Sequence, residues 1–308
     1  MNVLITGGAG FIGTNLLAFL TESEQFSVRV LDNEIMGKRE HIAAFSCDFI
    51  EGDIRSEKDV ERALYGMDVV VHLAADTRVM DSIEDPTKNF EHNVIGSFQL
   101  MNKMRQMKVN RLVCASTGGA IIGDVPPPVH EEMVPKPASP YGASKLALEG
   151  YCSAFSQSFN MSCLALRFSN VYGPYSFHKG SAVAAFIRQI LNGDTLIVYG
   201  DGNQTRDFVY SQDVATAIRD ALLNPGVAGV LQLGTGVETS INQLIEALRK
   251  VAGSKYPFNV EYRDHRAGEI LYSCCDVSKA RLELKYNPET ELLNGIQKTW
   301  DWFLSQRN

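Results

Sequence analysis

The chain has 308 residues, 45% of them hydrophobic and 21% charged, enough for a sizeable core in one large or two modest domains. A formal charge of -7 and the lack of any Lys or Arg block argue against a nucleic-acid partner, while still permitting a local basic pocket for an anion. Residues 2 to 20 carry no charge, but they have no basic flank and contain Gly7, Gly8, Gly10 and Gly13. They therefore read as a buried strand and helix, not as an export signal or membrane span. Cys47, Cys114, Cys152, Cys163, Cys274 and Cys275 show no C-x-x-C spacing, which predicts reduced thiols, no metal site and a cytoplasmic protein.

In chain order, apolar runs at 2–6, 27–32, 49–53, 68–75, 111–116 and 162–169 read as strands. Helical patterns lie between them at about 11–22, 56–65, 83–107 and 141–158. The strand runs are apolar throughout rather than alternating, as expected of a parallel sheet covered by helices on both faces. This is the doubly wound α/β pattern. Past about residue 168 the rhythm loosens into polar loops, "SNVYGPYSFHKGS", "YGDGNQTRDFVYSQ" and "YRDHRAGEILYSCC", between helices near 181–191, 211–223, 240–252 and 290–304. The expected division is a dinucleotide-binding domain over 1–168 and a smaller α/β substrate-binding portion over 169–308, with some chain crossing back to the sheet. No linker or repeat separates the two, so they should share a continuous cleft.

The segment "GGAGFIG" holds G-x-G-x-x-G from Gly8 through Gly10 to Gly13, directly after a strand and directly before a helix. Glycines allow the tight turn and bring backbone N–H groups to a pyrophosphate, whose charge is favoured at the helix N-terminus. Asp32 closes the second strand, where its carboxylate can accept from an adenosine ribose and would repel a 2′-phosphate, which favours NAD over NADP. Asp53, after the third strand, is either an adenine contact or a turn carboxylate.

Downstream, "SPYGASKLALEGY" places Tyr141 four residues before Lys145, on one helical face. The lysine ammonium can favour the phenolate by proximity, so a tyrosine of pKa ~10 in water becomes a candidate base near neutrality. His72 ends an apolar strand and reads as a packed, hydrogen-bonded histidine and not a catalyst.

With these motifs in hand, the chain resembles the extended short-chain dehydrogenase/reductase family, specifically its nucleotide-sugar epimerases and dehydratases. The resemblance is carried nearly end to end by "TGGAGFIG", "HLAAD", Asn93 in "HNVIGS", "YGASK", "LRFSNVYGP", "GDGNQTRDFVY" and "RAGE". It implies a Rossmann domain holding NAD through Gly7, Gly10, Phe11, Ile12, Gly13, Asp32, Asn33, Asp53, Ile54, Leu73, Ala74, Ala75, Asn93, Tyr141 and Lys145. It further implies that Tyr141 is the base, that Lys145 binds the nicotinamide ribose and lowers the Tyr141 pKa, and that Thr117 or Ser116 supplies a hydroxyl to the reacting oxygen. Gly118 stands where many relatives place that Ser or Thr, and Ile122 where they place Tyr. On the substrate side the resemblance points to Asn170 and Arg206 for the diphosphate and uracil-side groups, Arg266 as a second cation and Glu269 near the nucleotide ribose. Two guanidiniums suit bidentate pairing with phosphate.

The step shared by this family removes the proton from the sugar's O4 while hydride leaves carbon 4 for the nicotinamide. Relatives that then eliminate water or decarboxylate carry acids after the catalytic Thr, where this chain has Gly118 and Gly119. A UDP-sugar 4-epimerase is therefore expected, with a dehydratase, decarboxylase or keto-sugar reductase as the rival enzymes and an NAD-sensing regulator as the non-enzyme alternative. Ser273 falls at the position beside the sugar's carbon 2, where a small residue leaves room for UDP-GlcNAc and UDP-GalNAc as well as UDP-glucose and UDP-galactose. Apolar stripes on helices 83–107 and 141–158 imply a homodimer through a four-helix bundle, or else packing within the subunit.

Overall fold

Six of the apolar runs become parallel strands of one sheet in the computed structural model, which describes residues 1–176, 179–264 and 270–307. They are β1 (Asn2–Thr6), β2 (Ser27–Asp32), β3 (Asp48–Glu51), β4 (Val69–His72), β5 (Arg111–Thr117) and β6 (Ser162–Phe168). From one edge the order is β3, β2, β1, β4, β5, β6, and the strand Gly229–Leu233 completes the other edge. Thr6 is level with Leu31 on one side and His72 on the other, so the C-terminal ends of the central strands open together. The order reverses between β1 and β4, and in open α/β sheets that crevice is where ligands bind.

The helices cover both faces, as uniformly apolar strands require. Val3, Ile5, Val69 and Val71 face Leu16 and Leu17 of the helix Phe11–Leu20 and Val214 and Ile218 of the helix Ser211–Leu223. On the opposite face Leu4, Val70 and Leu112 pack with Val60, Leu100, Met101, Leu148 and Phe155 from the helices Glu57–Leu64, Gly96–Met107 and Pro140–Phe159. A separate core, including Ile187, Leu248, Ile296 and Trp300, holds the helices Ala182–Asn192, Ile241–Ala252 and Leu292–Ser305 together.

Two expectations need correction. The helical stretch 83–107 is broken into Val79–Glu84, Pro86–Asn89, a wide-turn segment Phe90–Ile95 and Gly96–Met107. Pro86 has no N–H to continue the preceding helix, and the Asp85 side chain accepts from Lys88 N to start a new one. The seventh strand, Gly229–Leu233, is absent from the sequence reading, yet it pairs in parallel with β6 from Leu164 to Phe168. Three two-stranded ladders are likewise absent from the sequence reading: Asn170–Tyr172 with Phe208–Tyr210, which lie in its polar loops, and Thr205–Arg206 with Thr239–Ser240 and Leu196–Tyr199 with Val260–Arg263, which lie only partly there.

Candidate active site

A cleft of about 730 Å³ opens at the switch between β1 and β4, and Gly7, Gly10, Phe11, Ile12, Gly13, Asp32, Asn33, Asp53, Ile54, Leu73, Ala74 and Ala75 all line it. Gly7 has φ +71°, and a Cβ there would lie 2.6 Å from Ala74 N, so the turn after β1 can press against the end of β4 only with glycine. Asp32 is buried at the end of β2, with Oδ2 accepting from Ala9 N at 3.0 Å and Oδ1 from Glu34 N at 2.9 Å. Burial pushes its carboxyl up, and these two backbone donors oppose the shift.

Asp53 is engaged by Arg55, at 2.9 Å from Nε and 2.8 Å from Nη2, and by Asn33 Nδ2 at 3.0 Å. The Arg55 hydrogen bonds hold its carboxyl far below the usual range. Its side chain is engaged in the turn, with Asn33 fastening the loop after β2 to the loop after β3, and the residue also lines the cleft. Asn93 is not among the lining residues. It lies beneath the cleft, its Oδ1 accepting from Asp76 N at 2.8 Å and its Nδ2 donating to Asp76 O at 2.9 Å and Ser144 Oγ at 3.1 Å. It ties the loop after β4 to the helix Pro140–Phe159.

Ser139 caps that helix by accepting from Gly142 N at 3.2 Å, and Pro140 opens its first turn, so Tyr141 and Lys145 enter the cleft from a firmly started N-terminus. Lys145 Nζ donates to Ala115 O at 2.9 Å. Burial pulls its ammonium down to about 8, with Cys114 and Glu149 opposing, and pushes the Tyr141 phenol up to about 12. The expected lowering of the tyrosine by the lysine is therefore not produced by the protein's own groups: desolvation of the phenol outweighs it. His72 is enclosed, with Nδ1 2.7 Å from Thr6 Oγ1 and Nε2 2.9 Å from Ser97 Oγ, and burial, with Lys145 nearby, takes it down to about 3. As expected, it is a packed neutral imidazole.

The two hydroxyls at the end of β5 differ. Ser116 Oγ donates to Glu149 Oε1 at 2.6 Å, and Glu149 is held by Arg167 Nε at 2.9 Å and Nη2 at 2.8 Å, all three residues being buried. Both residues line the cleft, but the Thr117 hydroxyl makes no hydrogen bond among the described residues. At Gly118 a Cβ would come 2.5 Å from Gln232 Oε1, so the side chain of Gln232 fills the space that a residue with a Cβ would need.

On the substrate side, Asn170 lines the cleft and its N–H donates to Asp207 O at 2.9 Å. Arg206 is not a lining residue, and its Nη1 donates to Thr205 O at 2.7 Å. Ser273 Oγ would lie 3.8 Å from a Cβ on Gly119, beside the turn that follows Thr117. Arg266 and Glu269 lie outside the described residues. Sequence reasoning did not single out the Glu149–Arg167 pair or Lys179, which lines the cleft. Glu149 does carry a signal, one helical turn past Lys145, but its arginine partner is on a distant strand.

The model of the NAD dependent epimerase/dehydratase family matches residues 3–234. The chain belongs to this family. The UDP-glucose 4-epimerase of Mycolicibacterium smegmatis is 35% identical over 316 residues, covering 98% of each chain. Among solved structures, the Thermotoga maritima UDP-glucose 4-epimerase with UDP-glucose superposes with a TM-score of 0.93 at 34% identity over 100% of both chains. That of Thermus thermophilus in complex with NAD gives 0.90 at 37% identity over 99% of each.

For a member of the epimerase/dehydratase family, the cleft has the parts that fit NAD. Gly10, Phe11 and Ile12 present backbone at a helix N-terminus for a pyrophosphate, and Asp32 offers carboxylate lone pairs to a ribose. Tyr141, Lys145 and Thr117 all line this cleft, so a phenol, an ammonium and an uncommitted hydroxyl border the space in which NAD would lie.

Proposed function

We propose that this chain is an NAD-dependent UDP-sugar 4-epimerase that interconverts UDP-glucose and UDP-galactose through a 4-keto intermediate. The observation that carries this reading is that Tyr141, Lys145 and Thr117 all line the dinucleotide cleft, with Gly118 and Gly119 following in place of an acid. NAD, when bound, accepts and returns the hydrogen of carbon 4. Tyr141 takes the proton from O4 and gives it back, and Lys145, whose ammonium is charged at neutral pH even when drawn down to about 8, is assigned to the nicotinamide ribose. Thr117 donates to or accepts from the same oxygen and orients it. Asn170 and Arg206, with Arg266 and Glu269, are assigned to the nucleotide-sugar. Ser273 is not among the residues lining the cleft, so tolerance of an acetamido group at carbon 2 rests on the family resemblance alone, and Ser273→Tyr tests it.

The enzyme is further proposed to act as a homodimer in the cytoplasm. No described helix is long and apolar enough to cross a membrane, and all six cysteines are free thiols. Incubation with UDP-glucose or UDP-galactose, followed by NMR, should show each converted to the other. Tyr141→Phe should lower kcat by about 10²–10⁴-fold, the usual worth of a positioned acid–base group, while NAD stays bound. Release of water or carbon dioxide, or full turnover by the phenylalanine variant, would overturn the assignment.

A further inference from the structure

Most charged side chains in the cleft answer one another. Arg55 holds Asp53 at 2.8 Å, Arg78 lies 3.6 Å from Asp81, and His92 is 2.8 Å from Asp76. Lys179 has no carboxylate partner among the described residues. Its Nζ donates to Val171 O at 3.1 Å and lies 4.5 Å from the centre of the Phe11 ring. A carbonyl and a ring face replace only part of the hydration that an ammonium loses, and burial alone draws this one down to about 8. An anion entering the cleft would offset that cost.

Its place narrows which anion. Val171 follows Asn170 on the substrate side, and Phe11 opens the helix that follows the cofactor turn, so Lys179 stands at the seam between the two ligands. Three residues later the eleven-residue helix Ala182–Asn192 begins, with no acid in its first turn. Ser181, its N-cap, is among the residues lining the same cleft, and its buried Oγ has no hydrogen-bond partner among the described residues. The partial positive charge of that terminus adds to the ammonium.

We infer that Lys179 is a specificity-determining residue that binds an anionic oxygen of the nucleotide-sugar, either of its diphosphate or of the carboxylate of an acidic sugar. This rests on the nucleotide-sugar reading above and assigns it a cation of its own. The test compares wild type, Lys179→Met and Lys179→Arg with UDP-glucose and UDP-glucuronate, which share the diphosphate and differ in the carboxylate. The methionine variant should raise KM by about 10- to 100-fold, the span of one charge-assisted hydrogen bond, with kcat held within about twofold. Arginine should restore most of the loss. A rise on both sugars assigns the diphosphate, and a rise on UDP-glucuronate alone assigns the carboxylate.

In wild type KM should climb as pH passes through about 8, where the free ammonium loses its proton, and in the arginine variant it should stay flat. Unchanged KM on both sugars, failure of arginine to rescue, or loss of bound NAD from the methionine variant would overturn the inference. Calorimetric titration of the same two sugars reads the contrast without turnover. An inactive wild type that still binds them in a Lys179-dependent way would therefore sink the epimerase reading and leave this one standing.

Discussion

Ser116 and Thr117 leave β5 side by side, and their partners separate their roles. The Ser116 hydroxyl is spent on Glu149 inside the protein, whereas the Thr117 hydroxyl remains for a ligand. Thr117→Ala should therefore lower kcat by about 10²-fold with little change in stability, as loss of a group that touches the reacting oxygen. Ser116→Ala should do the reverse, costing about 1–3 kcal/mol because a buried carboxylate loses a donor. Paired kcat and urea-midpoint measurements distinguish the two, and equal kcat losses would refute the division. The sequence left this choice open because both hydroxyls occupy neighbouring positions, and only the fold shows that a glutamate from another element takes one of them. Tyr141 with Lys145, and the glycine turn with Asp32, were legible because a four-residue helical spacing and a strand–turn–helix motif are local. Lys179 was not, since its meaning comes from Phe11, which is far away in the chain.

Buried charge is what joins the elements around this site. Arg167 on β6 makes a bidentate pair with Glu149 on the helix Pro140–Phe159, and Ser116 on β5 completes the junction. The Arg167 Nη1 already lacks a hydrogen-bond partner among the described residues, so the guanidinium depends on that one carboxylate. Glu149→Ala should cost about 3–5 kcal/mol by leaving a buried charge uncompensated, and adding Arg167→Met should recover much of it, because removing both charges is far less costly than removing one. Denaturant titration of the single and double variants checks this, and equal stability of the two would refute it. At this scale the apolar runs disclosed six strands because each centres on Val, Ile, Leu or Phe and is bounded by turn residues. The strand Gly229–Leu233 escaped because it begins at Gly229 with φ +99° and contains Gln232 at a fully buried position. Its place at the sheet edge is fixed by pairing with β6, a contact between distant parts of the chain that no local pattern reports.

Among the described residues, an aromatic cluster on two neighbouring helices is left partly exposed. Phe98 on the helix Gly96–Met107 stacks 5.2 Å from Tyr151 on the helix Pro140–Phe159, and Phe155 and Phe159 continue the cluster at 5.1 Å from each other. Phe98 and Tyr151 are each 37% exposed and Phe159 is 44% exposed, with Phe90 and Ile95 also open on the approach to the first helix. The faces of these helices turned toward the sheet are filled by Leu100, Met101, Leu148 and Cys152, and the outer stripe, anchored by the buried Phe155 and with Arg105 over the Phe159 ring, stays partly exposed. Two antiparallel copies of such a helix pair bury their stripes as a four-helix bundle, and a specific interface needs roughly 800 Å² per partner. The Tyr141–Lys145 helix would then be clamped from its outer side, which links assembly to the stability of the site. Light scattering should give twice the 34.0 kDa chain mass. Replacing Phe98 and Tyr151 together by Glu should yield a folded monomer, because two charges per subunit would have to be buried against their own copies. A wild-type mass of one chain, or a dimer that survives both substitutions, would place the aromatic surface elsewhere in the protein's work.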